Sequence, residues 1–166
     1  MDPFTKDLLA IKKGEFGEVL ALKLLRSSGR IVVPFNEWNH ENGLSASAVP
    51  KAPGPDLCML DEESPHFIEV KYRSNCYFDF DMIRRMRSQR DYWSQFGTFD
   101  VVSINSQRCD KLRVLDLSRV DFSNYMCGMT PLYRCMYTDL LKVWGIKREA
   151  YQEALKSIEE NREWLE

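Results

Sequence analysis

Residues 55–71 read PDLCMLDEESPHFIEVK: a proline–aspartate pair before an apolar run, an acidic turn, and a second apolar run that holds a glutamate and a lysine. Side chains alternate between the two faces of a β-strand, so Glu69 and Lys71 project from one face while Val70 turns into the core. If Asp56 lies on the neighbouring strand of a hairpin, two carboxylates and an ammonium group converge on one small patch. Such a patch can hold a divalent cation against a phosphodiester.

Magnesium suits this donor set. It is a hard cation that usually takes one or two carboxylates together with waters and substrate phosphate. Asp56 and Glu69 match that number, and the carbonyl of Val70 can offer a further oxygen. Lys71 can orient or deprotonate the attacking water, or offset charge on the phosphate. The alternative is a surface hairpin with an ordinary Glu–Lys pair, because a glutamate and a lysine two residues apart are common.

Around this hairpin the sequence predicts an α/β domain with a mixed sheet between helices. The predicted helices cover residues 14–28, 81–96 and 147–166. The predicted strands cover residues 30–35, 56–60, 66–72, 99–104 and 111–117. Residues 36–54 are rich in Asn, Ser, Ala, Pro and Gly, which is typical of a long loop that carries function. We expect a core of residues 1–118 and a mainly helical C-terminal extension, residues 119–166, which packs on the core or forms a dimer.

Composition excludes several classes of protein. The chain has 166 residues, of which 44% are hydrophobic and 29% are charged, as in ordinary globular domains. No apolar run approaches the roughly 18 residues that span a bilayer, and the first residues lack a signal peptide, so we expect a cytoplasmic protein without membrane contacts. The formal net charge is −2, so a nucleic-acid ligand requires a local positive patch.

The cysteines do not form a recognisable framework. They are odd in number and contain no Cys-x-x-Cys pair, which favours reduced, scattered thiols over disulfides or a zinc ribbon. No dinucleotide fingerprint, phosphate loop or other signature of an organic cofactor is present. The five are Cys58, Cys76, Cys109, Cys127 and Cys135.

Pro55-Asp56 and Glu69-Val70-Lys71 resemble the two signature pieces of the PD-(D/E)XK nuclease superfamily, which has the restriction-endonuclease-like fold. Upstream, Lys13-Gly14 and the glutamate that follows resemble the start of the first helix in archaeal Holliday-junction resolvases. A second similarity is to VRR-type nuclease modules, which share the run Pro53-Gly54-Pro55-Asp56-Leu57 and a glutamine, here Gln89, on the helix after the lysine.

The resemblance implies a Mg²⁺- or Mn²⁺-dependent deoxyribonuclease, an endonuclease that hydrolyses phosphodiester bonds and is selective for DNA structure. In the resolvases a glutamate of the first helix assists the metal site. Glu18 matches that position, with Glu15 on the same helix face as the alternative. Glu18, Asp56, Glu69 and the Val70 carbonyl are then the metal ligands, and Lys71 assists catalysis. Resolvases of this type are homodimers, because a junction needs two symmetric cuts.

The same resemblance, with the distribution of charge, predicts where branched or duplex DNA binds. Arginines cluster on the helix that follows the lysine strand, and phosphate contacts of this kind set position without reading sequence. A solvated helix face is the alternative for these residues. The predicted DNA contacts are Lys12, Lys13, Arg73, Arg84, Arg87 and Gln89. Two other functions stay open: a sequence-specific restriction or mobile-element nuclease, and a non-catalytic nucleic-acid-binding module of the same fold.

Overall fold

A computed structural model describes residues 3–35, 54–61, 63–73, 80–105, 112–117, 120 and 138–165. The long loop and most of the methionine- and aromatic-rich segment 119–138 lie outside the described residues. The elements in chain order are α1 (Pro3–Arg26), β1 (Ile31–Pro34), β2 (Leu57–Leu60), β3 (Pro65–Arg73), α2 (Phe80–Trp93), β4 (Thr98–Asn105), β5 (Arg113–Asp116), β6 (Thr138–Asp139), a 3₁₀ helix (Leu140–Lys142), α3 (Arg148–Glu160) and α4 (Arg162–Leu165).

The six strands within the described residues form one mixed sheet in the order β1-β2-β3-β4-β5-β6. Of the five pairings between these strands, β3–β4 is parallel, with Val70 opposite Val102, and the other four are antiparallel. Parallel neighbours need a crossover connection, which α2 supplies between β3 and β4. The predicted class, a mixed α/β sheet flanked by helices, is confirmed.

The sheet separates two hydrophobic cores. On one face α1 packs against β3 and α3 packs against α1, in a core that includes Leu24, Leu25, Val70, Val102 and Ile158. On the other face α2 packs on the sheet, with Phe67, Met86 and Trp93 in a second cluster. Strand alternation explains the division, since Phe67 and Val70 lie on opposite faces of β3.

Helix α1 begins eleven residues before the predicted start at residue 14, at Pro3, a residue type suited to the first helical turn. Its first half exposes Leu8 (43%) and Ile11 (59%), so those residues give no core-facing pattern from which a helix could be predicted. The helix ends at Arg26, where Gly29 adopts a positive φ of 83° in the following turn.

The C-terminal part of the described chain contacts the sheet directly. Strand β6 pairs with β5. The hydroxyl of Tyr151 in α3 donates to Asp139 Oδ1 at 2.8 Å and accepts from the backbone N–H of Leu112 at 2.8 Å. The predicted single tail helix is divided into α3 and α4 at Asn161. The division of the chain at residue 118 stays a prediction. Within the described residues, no helix combines the length and apolar character needed to cross a membrane.

Candidate metal-binding and catalytic site

Asp56 lies where three strands meet. It directly precedes β2, its carbonyl accepts from the backbone N–H of Phe35 at 3.0 Å, and its own N–H donates to the carbonyl of Ile68 at 3.0 Å. The carboxylate Oδ2 accepts from the backbone N–H of Val70 at 2.6 Å. Both the backbone and the side chain of Asp56 are therefore held against β3, one residue from Glu69.

Glu69 and Lys71 project from the same face of β3, as the alternation predicts, and Val70 packs in the opposite core. Lys71 Nζ donates to Glu69 Oε1. Glu69 is only 1% exposed, and the Lys71 side chain is 17% exposed. A buried carboxylate requires partners, and the lysine supplies one of them.

Two like charges share this site. Burial, and then the negative charge of Glu69, raise the pKa of Asp56 to about 7, while the Val70 N–H and the charge of Lys71 act in the opposite direction. Carboxylates that repel each other in a partly desolvated place are a donor set that a divalent cation would stabilise. The raised pKa therefore reflects proximity as well as burial.

Glu18 approaches the same patch from α1. One residue before it, Gly17 packs closely on β3: a Cβ at Gly17 would lie 3.3 Å from Tyr72 Cβ and 3.6 Å from Val70 Cγ1. Burial raises the pKa of Glu18, the negative charges of Glu69 and Glu15 raise it further, and Lys71 lowers it. Glu18 therefore lies within the electrostatic reach of Glu69 and Lys71.

The divalent cation implied by the resemblance can be tested against these donors. Among the described residues, no group of three His, Cys, Asp or Glu side chains is arranged as a complete metal-binding cluster. Asp56 and Glu69 nevertheless supply the one or two carboxylates that Mg²⁺ takes, and the mutual repulsion seen in the raised pKa of Asp56 suits a cation between them. The donor set fits a Mg²⁺ site completed by water and phosphate.

The sequence predicts that Gln89 contacts DNA, but in the structure its side chain is buried. It is 0% exposed, and its Nε2 donates to Glu69 Oε2 at 3.0 Å. This burial gives no support to a DNA contact from Gln89, which stays a prediction. Its link to Glu69 was missed, although a signal exists: Gln89 follows Ile83 and Met86 at three-residue steps, on the helix face that goes on to Trp93 and is buried against the sheet.

The predicted basic contacts fall on two helices. On α1, Lys12 is exposed and Lys13 is half-buried. On α2, Arg84 is paired with Asp81 at 3.5 Å and Arg87 with Asp91 at 3.8 Å, and all four side chains are at least half exposed. The side chain of Arg73 lies outside the described residues. These arginines already have acidic neighbours, which reduces the positive field of α2.

Arg90, on the same helix, has a structural role. Its guanidinium donates to the carbonyl of Val120 at 2.9 Å and also pairs with Asp91 at 2.8 Å. This arginine holds the segment after β5 against α2. Of the arginines on α2, Arg84 and Arg87 are therefore exposed, whereas Arg90 has a structural role.

Comparison with known proteins finds a likeness in structure. No protein-family model matches the chain, and no curated protein matches it in sequence. Among solved structures, it is similar to Hjc, a Holliday junction resolvase from the archaeal hyperthermophile Archaeoglobus fulgidus. The identity is 15% and the TM-score 0.51, and the match covers 81% of this chain and 98% of the resolvase chain. The predicted restriction-endonuclease-like fold, and the resemblance to archaeal resolvases as a likeness of fold, are confirmed.

Proposed function

We propose that this protein is a metal-dependent endonuclease that hydrolyses phosphodiester bonds in DNA and prefers branched structures. The observation that carries the proposal is the convergence of Asp56, Glu69 and Lys71 on one patch beside the Gln89-bearing helix. A likeness of fold to a Holliday junction resolvase supports the choice of substrate.

In this mechanism Asp56 and Glu69 would hold a Mg²⁺ or Mn²⁺ ion, and Glu18 and the Val70 carbonyl would be further oxygen donors. When bound, the ion supplies Lewis-acid activation of water and of the phosphate. Lys71, held beside Glu69 as an ammonium group, would orient the attacking water, and its positive charge would stabilise the charge that develops on the phosphate; to act as the base it would first have to give up a proton.

Contacts to DNA are assigned to the cations on the two helices, Lys12, Lys13, Arg84 and Arg87, together with Arg73. They would bind phosphates and position the substrate without reading bases. A homodimer, which would allow two symmetric cuts, belongs to the same proposal, and light scattering of the purified protein tests it.

The experiment incubates the protein with linear duplex, single-stranded, flap and four-way-junction DNA in Mg²⁺, Mn²⁺ or EDTA. We expect metal-dependent cleavage that is fastest on branched DNA. Asp56→Asn, Glu69→Gln and Lys71→Met should each lower the rate by at least about 100-fold. Glu149→Gln and Lys142→Met remove the same charges from exposed positions in the C-terminal part and should leave the rate unchanged.

Cleavage that persists in EDTA or in Asp56→Asn would contradict the proposed site. Binding without cutting under all metal conditions would favour the non-catalytic module. Equal cleavage of all four DNAs, or cleavage only at a particular sequence, would remove the preference for branched structure.

A further inference from the structure

The buried side chain of Gln89 forms hydrogen bonds with two segments of the proposed site. Its Nε2 lies 3.0 Å from Glu69 Oε2 and 3.3 Å from the backbone carbonyl of Gly54, two residues before Asp56. One amide group therefore contacts the carboxylate on β3 and the segment that carries the other carboxylate. Since Gln89 belongs to α2, the same contacts tie the crossover helix to both.

The orientation of the amide follows from its neighbours. Both are acceptors, so the NH₂ group must face them, and the reverse orientation would place Gln89 Oε1 against two oxygens. In the resulting arrangement Gln89 Oε1 is buried and has no hydrogen-bond partner among the described residues.

A buried polar atom without a partner destabilises a fold. An apolar side chain at this position would avoid that cost at Oε1, but it would also remove the hydrogen bonds to Glu69 Oε2 and to the Gly54 carbonyl. The arrangement therefore satisfies two acceptors of the proposed site and leaves the oxygen of Gln89 itself without a partner among the described residues.

We propose that Gln89 is a positioning residue that holds Glu69 and the Gly54–Asp56 segment in the spacing that binds the divalent cation. The inference rests on the proposed nuclease function and extends it to a residue outside the metal ligands. Gln89 acts through Glu69 and does not itself contact the reacting atoms.

An uncharged hydrogen-bond donor such as the Gln89 amide is suited to orienting a carboxylate that binds a cation. One carboxylate oxygen of Glu69 accepts a hydrogen bond from Lys71, and the other accepts one from Gln89. Each carboxylate oxygen can accept a second partner, so a cation can still bind while both hydrogen bonds persist. An amide orients Glu69 without cancelling its charge, whereas a second ammonium group at this position would compete with the metal ion.

The test replaces Gln89 by methionine, which has a similar length but no donor. Binding of Mn²⁺ to the protein without DNA is measured by titration calorimetry, and the rate of DNA cleavage is measured against Mn²⁺ concentration. We expect binding about 10–100-fold weaker than in the wild type, as is typical when a partner of a metal ligand is lost. The matched control is Gln95→Met, because Gln95 is exposed just after the same helix, and it should bind Mn²⁺ like the wild type.

A second comparison separates positioning from general stability. In a Glu69→Gln background, Gln89→Met should weaken Mn²⁺ binding no further, because its effect passes through Glu69. If Gln89→Met does not fold, Gln89→Asn takes its place: the shorter side chain withdraws the donor, and the same weakening is expected.

Wild-type Mn²⁺ affinity in a folded Gln89→Met or Gln89→Asn variant would overturn the inference, as would equal weakening with and without Glu69. If the wild type binds Mn²⁺ and cuts DNA while the variant matches it, only this inference fails. If the wild type neither binds Mn²⁺ nor cuts any DNA, the proposed function fails and the inference falls with it.

Discussion

At the scale of single residues, Asp56 shows how burial and charge oppose each other in the site. Its carboxylate accepts a 2.6 Å hydrogen bond from Val70, which favours the charged form. Burial and the neighbouring Glu69 have the larger effect and raise its pKa to about 7 from an ordinary value of 3.8. In the metal-free protein Asp56 therefore ionises only as the pH rises through about 7, at a cost to stability that a bound cation would offset.

Because burial and Glu69 disfavour the charged form of Asp56, we predict that Asp56→Asn stabilises the metal-free protein. Between its ordinary pKa and its raised pKa, the folded state binds the proton more tightly than the unfolded state, so stability falls as pH rises through that window. In EDTA at pH 8 we expect a gain on the order of 2 kcal/mol, and almost none at pH 3.5, where Asp56 is protonated in the folded protein. Thermal unfolding at both pH values measures it, and an Asn variant less stable than the wild type at pH 8 would contradict it.

Cys58 offers a second prediction at this scale. Burial raises the pKa of its thiol to about 12, and the residue is 0% exposed. Since the thiolate is the nucleophile, Cys58 should not react with iodoacetamide at pH 8 in the folded protein and should react in urea. Peptide mass spectrometry reads the labelling of this cysteine separately from the others, and labelling at the same rate in both conditions would refute the burial.

At the scale of elements, close packing of backbone decides how α2 is joined to the sheet. Gly97 lies between α2 and β4, and a Cβ there would lie 2.0 Å from the carbonyl oxygen of Pro65, the first residue of β3. The parallel pairing of β3 with β4 starts immediately after these residues, with His66 opposite Thr98. A side chain at Gly97 would push apart the two strands whose pairing supports Glu69.

Two glycine-to-alanine substitutions should therefore have opposite effects. Gly97→Ala should destabilise the protein by about 1–3 kcal/mol or more, because the backbone of β3 cannot move away easily. Gly14→Ala, in α1 with nothing within 4 Å of the added Cβ, should stabilise it by about 0.5–1 kcal/mol through helix propensity. Urea unfolding of both variants measures the pair, and a loss of stability in Gly14→Ala would show that α1 is not helical at residue 14.

At the scale of the whole molecule, charge limits how DNA can bind. The net charge is −2, and the exposed arginines of α2 are paired with aspartates. Lys12 and Lys13 lie on α1, the helix that carries Glu18, about one and a half helical turns before it, and they offer positive charge on that helix. Affinity for DNA should depend on this local patch and on the metal ion, because the molecule as a whole repels a polyanion.

Replacing Lys12 and Lys13 by alanine together should weaken DNA binding and also lower its dependence on salt. Each lost phosphate contact should reduce the slope of log affinity against log salt by about 0.9. Fluorescence anisotropy with labelled junction DNA at several salt concentrations measures both quantities. Lys156→Ala, in the exposed part of α3, is the control; an equal change in that variant would show that the effect of the α1 lysines is not local.

The order of the elements from α1 to β5 and the shared face of Glu69 and Lys71 could be predicted because both depend on short-range patterns. The sequence does not predict strand β6, since residues 119–166 are expected to be mainly helical. The β2–β3 hairpin follows from two apolar runs around a turn, and the shared face of Glu69 and Lys71 follows from strand alternation. The early start of α1 could not be predicted, since Leu8 and Ile11 face solvent and show no core-facing period. The sequence does not predict the buried contact of Gln89 with Glu69, because a glutamine on a helix among arginines is usually exposed.

The sequence by itself therefore determined the mixed α/β class, the resemblance to nucleases and the identity of Asp56, Glu69 and Lys71 as the central candidates. Those features are encoded in residue type and in spacings of a few positions. Only the tertiary structure decided that Gln89 contacts Glu69, that Glu18 lies within the electrostatic reach of the hairpin, and that Arg90 serves the fold. In each case the packing of helices on the sheet brings together residues that are distant in sequence. A local sequence pattern does not indicate which polar side chain such packing will bury.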